Sequence, residues 1–69
     1  MRRWDGNMNG EQYLGNDGAK EVHDLNIERS ACRIDEIIRE GHDRPFSLLT
    51  EAHAEGYENC RYCIGRSTR

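Results

Sequence analysis

Three cysteines, Cys32, Cys60 and Cys63, constrain this 69-residue chain more than any other feature. The count is odd, and a disulfide framework uses cysteines in pairs, so at least one thiol would be left over. The N-terminal stretch Met1-Arg2-Arg3-Trp4-Asp5-Gly6 has charge but no apolar run behind it. It therefore does not read as a secretory leader, and a reducing, cytoplasmic setting is expected. Two of the thiols form a Cys-x2-Cys, Cys60-Arg61-Tyr62-Cys63. That spacing lets the chain turn so that both sulfurs meet one ion while backbone N–H groups bond to the thiolates. Gly65 just beyond it suits a tight knuckle.

Composition points the same way. Hydrophobic residues make up 35% and charged residues 33%, with a mean hydropathy of -1.02. Ordering costs about 1.5 kcal/mol per residue, so a chain this short and this polar needs a staple besides its core. With thiols that cannot all pair, the staple is expected to be a metal. A mixed sulfur and nitrogen donor set of four selects tetrahedral zinc, one ion per chain. The fourth donor lies among His23, His42 and His53. His23 ends a strand-like segment nine residues before Cys32, so a loop could bring both to one site. His42 falls in a loop after the first helix, and His53 sits on the second. His23 is the preferred partner and the other two stay open.

Along the chain, residues 1–10 are rich in Gly and Asn and read as a flexible arm; Trp4 alone could pack back. Residues 11–65 read as the domain and 66–69 as a flexible tail. Gln12-Tyr13-Leu14 and Glu21-Val22-His23 are short strand signals. The Gly15-Asn16-Asp17-Gly18 between them tolerates positive φ, which predicts a hairpin. If Val22 faces a core, alternation turns His23 away from it. Residues 26–40 are expected to be mostly helical, with Ser30 as N-cap, the stripe Ile34, Ile37, Ile38 and a stop at Gly41. Pro45 makes Arg44 extended. Phe46 is a core anchor. Ser47 caps a second helix that Gly56 ends. The expected fold is a small α+β zinc-stapled domain with a short β-hairpin, two short helices and a Cys-x2-Cys knuckle.

Phe46, Leu49, Ala52, Gly56-Tyr57 and Cys60-Arg61-Tyr62-Cys63 together resemble the small zinc-binding domain of the Ada DNA-repair methyltransferase group. That pattern has an aromatic at a strand end, a helix ending Ala-x3-Gly-Tyr, then Cys-x2-Cys. Gly15-Asn16-Asp17-Gly18, Val22-His23 and Cys32 correspond to the group's earlier half, so the resemblance spans residues 13–64. It implies His23, Cys32, Cys60 and Cys63 as the metal ligands. His23 stands where Ada carries its methyl-accepting cysteine, so the resemblance does not carry methyl transfer with it.

A net charge of -3 lacks the basic footprint of a nucleic-acid binder, although Arg61, Arg66 and Arg69 gather near the C-terminus. Arg29, Arg33 and Arg39 alternate with Glu28, Asp35, Glu36 and Glu40, which reads as a solvated helix face. No run approaches a membrane span. The expectation is a monomeric, non-catalytic structural zinc module that serves a protein partner. The alternatives are a DNA-binding zinc module and a thiol-redox protein using Cys60 and Cys63, the latter without the βαβ frame of thioredoxin-like folds.

Overall fold

The computed structural model describes residues 1–65. The expected tail at 66–69 lies outside them. Strands β1 (Tyr13–Asn16), β2 (Glu21–Asp24), β3 (Asp43–Phe46) and β4 (Glu58–Asn59) form one sheet in the order β3-β1-β2-β4. Two helices, α1 (Ile34–Arg39) and α2 (Leu49–Ala54), and a 3-10 turn at Ser30–Cys32 complete the fold. It is the expected α+β domain with its hairpin, helix pair and knuckle.

The β1–β2 hairpin forms as the turn residues predict, but with a different distribution of strain. Asn16 pairs with Glu21, leaving a four-residue loop. Asn16 folds its side chain over that loop, accepting from the N–H of Gly18 at 2.9 Å. The positive φ falls on Lys20, at 58°, and not on a glycine.

Both faces of the sheet are covered, which resolves the conflict between Val22 and His23. Leu14 and His23 are cross-strand partners on one face. That face packs against Met8, Leu25, Ile34, Ile37, Cys32 and Cys60. The other face carries Val22 with Phe46, Ala52 and Tyr57. Alternation therefore sends Val22 into one cluster and His23 into the other, and both are buried.

Gly15 lies on the Val22 face beneath two rings. Phe46 and Tyr57 meet there edge to face, centroids 5.3 Å apart. A Cβ on Gly15 would stand 2.8 Å from a ring carbon of each. Gly15→Ala is therefore expected to cost about 1–3 kcal/mol by overpacking. Urea unfolding at fixed metal concentration measures it; an unchanged midpoint would show that the ring pair moves freely.

Helix over residues 26–40 is shorter than its pattern suggests. Only Ile34–Arg39 is α-helical, and Ile34 and Ile37 are its buried residues. Ser30 opens the separate 3-10 turn and makes no side-chain cap; Arg33, left-handed at φ 55°, breaks the two apart. The second helix starts at Leu49. Its cap is at Leu48, whose N–H donates to Glu51 Oε1 at 3.3 Å, and not at Ser47.

The segment expected to be a loose arm lies against the domain. Met8 is buried in the cluster that lines the His23 face. The backbone N–H of Asn7 donates to the carboxylate of Asp43, itself wholly buried, at 2.7 Å. Gly6, at φ +60°, leaves room for that contact: a Cβ there would sit 2.7 Å from Asp43 Oδ2. Trp4 stacks over Gly10 while remaining mostly exposed.

Candidate metal centre

The fold brings His23, Cys32, Cys60 and Cys63 together from three separate parts of the chain. Their ligand atoms all lie within 4.8 Å of one another. His23 comes from β2, Cys32 from the 3-10 turn and the remaining pair from the turn after β4.

β4 is what delivers the knuckle, and its two residues are too short to leave a periodic signal. It pairs in parallel with β2, Val22 against Asn59. The Cys60 N–H then donates to the Val22 carbonyl at 2.9 Å, which sets Cys60 beside His23 in register. Gly65 N–H returns to the Cys60 carbonyl at 2.9 Å and closes the turn around the two sulfurs. On the other side, Cys32 N–H bonds to the Arg29 carbonyl at 2.9 Å, so the 3-10 turn aims the thiol inward.

Two distances inside the group lie close to those around one ion. Cys32 Sγ and Cys60 Sγ are 3.7 Å apart. Zinc–sulfur bonds of about 2.3 Å at tetrahedral angles give an S···S edge of about 3.8 Å. Cys63 Sγ and His23 Nδ1 are 4.0 Å apart, slightly wider than the S···N edge of about 3.6 Å for the same geometry. Two backbone donors already face the sulfurs: Asp24 N–H reaches Cys63 Sγ and Tyr62 N–H reaches Cys60 Sγ, both at 3.4 Å. Such bonds stabilise thiolates over thiols. His23 Nε2 is buried with no hydrogen-bond partner among the described residues. With Nδ1 turned toward the sulfurs, Nε2 is left as a buried ring nitrogen without a partner, at a cost of about 1–3 kcal/mol.

Burial sets the protonation of the metal-free site. It pushes His23 down to about 4, against the opposing charge of Glu28. The imidazole is thus neutral near pH 7, the form that binds metal. Burial pushes the Cys63 thiol up to about 12, and the neighbouring Cys60 and Cys32 add to this against the Asp24 N–H. Cys32 is raised for the same first reason. These are groups that stay neutral until a cation takes the place of their protons.

The other two histidines are occupied elsewhere. His42 Nδ1 pairs with Asp17 Oδ1 at 2.8 Å beside the hairpin loop. His53 Nε2 bonds to Asn59 Oδ1 at 2.6 Å. Neither belongs to the Cys/His group. No helix of the described residues is long and apolar enough to cross a membrane. Comparison with known proteins finds no matching family model, no matching curated protein and no matching solved structure.

Proposed function

We propose that His23, Cys32, Cys60 and Cys63 hold one zinc ion as a structural staple, and that the stapled domain is a non-catalytic interaction module for a protein partner. The observation that carries this reading is the convergence of four soft and borderline donors within 4.8 Å of one another, two of them 3.7 Å apart. Four protein ligands close the coordination shell, leaving no position for substrate or activated water. That is the arrangement of a metal that folds a chain and does no chemistry.

The competing readings meet specific obstacles. A thiol-redox role needs a thiol that ionises easily, and burial pushes Cys63 up to about 12. A DNA-binding role needs a basic face, and the chain carries a net charge of -3. The sequence resemblance to the Ada group implies the same ligand set. Since His23 takes the place of the methyl-accepting thiol, it adds no transfer activity to the proposal.

Cobalt substitution tests the ligand set directly. The cobalt-loaded protein is expected to show tetrahedral d–d bands and thiolate charge-transfer intensity appropriate to three sulfurs. His23→Ala should shift the d–d bands and weaken metal binding by about 10–100-fold while leaving the thiolate count unchanged. An unchanged spectrum would remove His23 from the site. A mass spectrum of the native protein showing no bound zinc would remove the metal.

A further inference from the structure

A groove of about 500 Å³ opens beside the metal centre, between the N-terminal segment and residues 28–39. The residues expected as an alternating solvated face are exposed, Glu28 excepted, and most of them line this concave surface. Four arginines and three carboxylates face it, in a chain whose net charge is -3.

The ion pairs within it are unevenly shared. Arg3, whose side chain is only 12% exposed, places Nη1 2.7 Å from Glu28 and Nη2 3.1 Å from Asp35. One arginine thus occupies two of the three carboxylates. Burial raises Glu28, but the hydrogen bonds and charges of Arg3 and the terminal amino group outweigh it and hold the carboxyl below its usual range. The third carboxylate, Glu36, stands 3.6 Å from Arg33, a long and exposed pairing. Arg29 and Arg39 line the same groove with no side-chain partner among the described residues. Two guanidinium groups therefore have no hydrogen-bond or ion-pair partner among the described residues and a third is weakly held, in a lining with one more arginine than carboxylate.

Arg33 adds a second, independent observation. It is left-handed, at φ 55°, where the chain passes from the 3-10 turn into α1. Glycine makes such a turn without the Cβ clash, so a long cationic side chain there carries backbone strain. Strained positions of this kind gather at binding sites.

We propose that this groove binds a phosphate monoester, free or on a side chain, through Arg29, Arg33 and Arg39. Guanidinium forks match phosphate oxygens in pairs, and all three arginines line the one groove. Ser30, on the groove wall, offers a hydroxyl donor to the same oxygens. An extended polyanion such as DNA would leave the groove and meet the acidic remainder of the surface, so the charge distribution favours the small ligand. The site does not depend on which metal occupies the neighbouring centre.

Amide chemical shifts of the zinc-loaded full chain, titrated with inorganic phosphate at constant ionic strength, test this. Saturable shifts confined to Arg3 and residues 28–39 are expected. The double variant R29Q/R39Q should weaken binding by at least about tenfold with the rest of the spectrum unchanged, whereas R44Q, outside the groove, should not. Arg33→Gly should also weaken binding while leaving the thermal midpoint at or above wild type, which separates loss of ligand contact from loss of fold. A phosphoserine peptide binding more tightly than inorganic phosphate would place the monoester on a protein; equal affinity would point to a free ligand. Shifts that do not saturate, that chloride reproduces, or that survive R29Q/R39Q overturn the proposal, as does tighter binding of a short DNA duplex.

Discussion

Chelation is expected to unfold this domain completely. A single core in a chain of this size rarely supplies more than about 3–5 kcal/mol, and here it is split into two small clusters on opposite faces of one sheet. One of those clusters contains Cys32 and Cys60, with Cys63 packed against it. A structural zinc contributes about 10–16 kcal/mol near neutral pH, more than the whole expected margin. Without the ion, three free thiols and the buried His23 ring, whose Nε2 has no hydrogen-bond partner among the described residues, are left beside the His23-face cluster. Among the described residues, the three chain segments that carry them are joined at that point only by the Cys60–Val22 and Asp24–Cys63 hydrogen bonds and the long Cys32–Cys60 and Cys63–His23 side-chain contacts. Circular dichroism with a tight chelator should therefore show loss of sheet signal together with the near-ultraviolet signal of the Phe46–Tyr57 pair. Added zinc should restore both and magnesium neither. A chelated chain that keeps its amide dispersion would show that the two clusters suffice, and the metal would then need another role.

How much of this was readable beforehand differs by element. The ligand set was legible because thiols are rare and their chemistry is narrow: an odd count and a Cys-x2-Cys leave few options whatever the fold. His23 was harder, since period-two alternation puts it opposite Val22 and so apparently in solvent. Only the second covered face makes both buried, and that face depends on Met8 and α1, which are distant in sequence. Helix over residues 26–40 was overextended because the stripe of Ile34, Ile37 and Ile38 speaks only for its second half. The first half is bent into a 3-10 turn that points Cys32 at the site, a tertiary demand that local propensity does not contain. β4 was invisible for a similar reason: two residues have no period, and the strand exists because β2 offers it an edge. The first ten residues look like an arm by composition. Their attachment runs through Asn7 to Asp43, a pairing of two polar residues thirty-six apart that no pattern announces.

Acid should release the metal and unfold the domain within a narrow range, with the midpoint set by the zinc concentration. In the loaded protein the three thiols are deprotonated and His23 is neutral. In the unfolded chain the thiols, with an ordinary value near 9.0, hold their protons at any pH below neutrality. His23 gains a proton as pH falls through its unfolded value of 6.5, whereas the metal-bound ring carries no added proton, and burial alone pushes the metal-free ring down to about 4. The unfolded state thus binds three more protons than the loaded fold above pH 6.5, and close to four below it. Stability must then rise with pH and be lost as pH falls; His23 acts in the same direction, since its folded value is depressed and its contribution is present above 6.5. Each proton is worth about 1.4 kcal/mol per pH unit, so the loss is about 4 kcal/mol per unit at first and steeper below pH 6.5. A staple of about 10–16 kcal/mol is then exhausted some two to three units below neutrality, near pH 4–5. Because three to four protons exchange for one ion, a tenfold rise in free zinc should lower the acid midpoint by about a quarter to a third of a pH unit. His23→Ala should bring that shift to the three-proton value, about a third of a pH unit per tenfold change in zinc. An acid midpoint indifferent to zinc concentration would mean that the thiols are not deprotonated in the fold, and that no ion joins them.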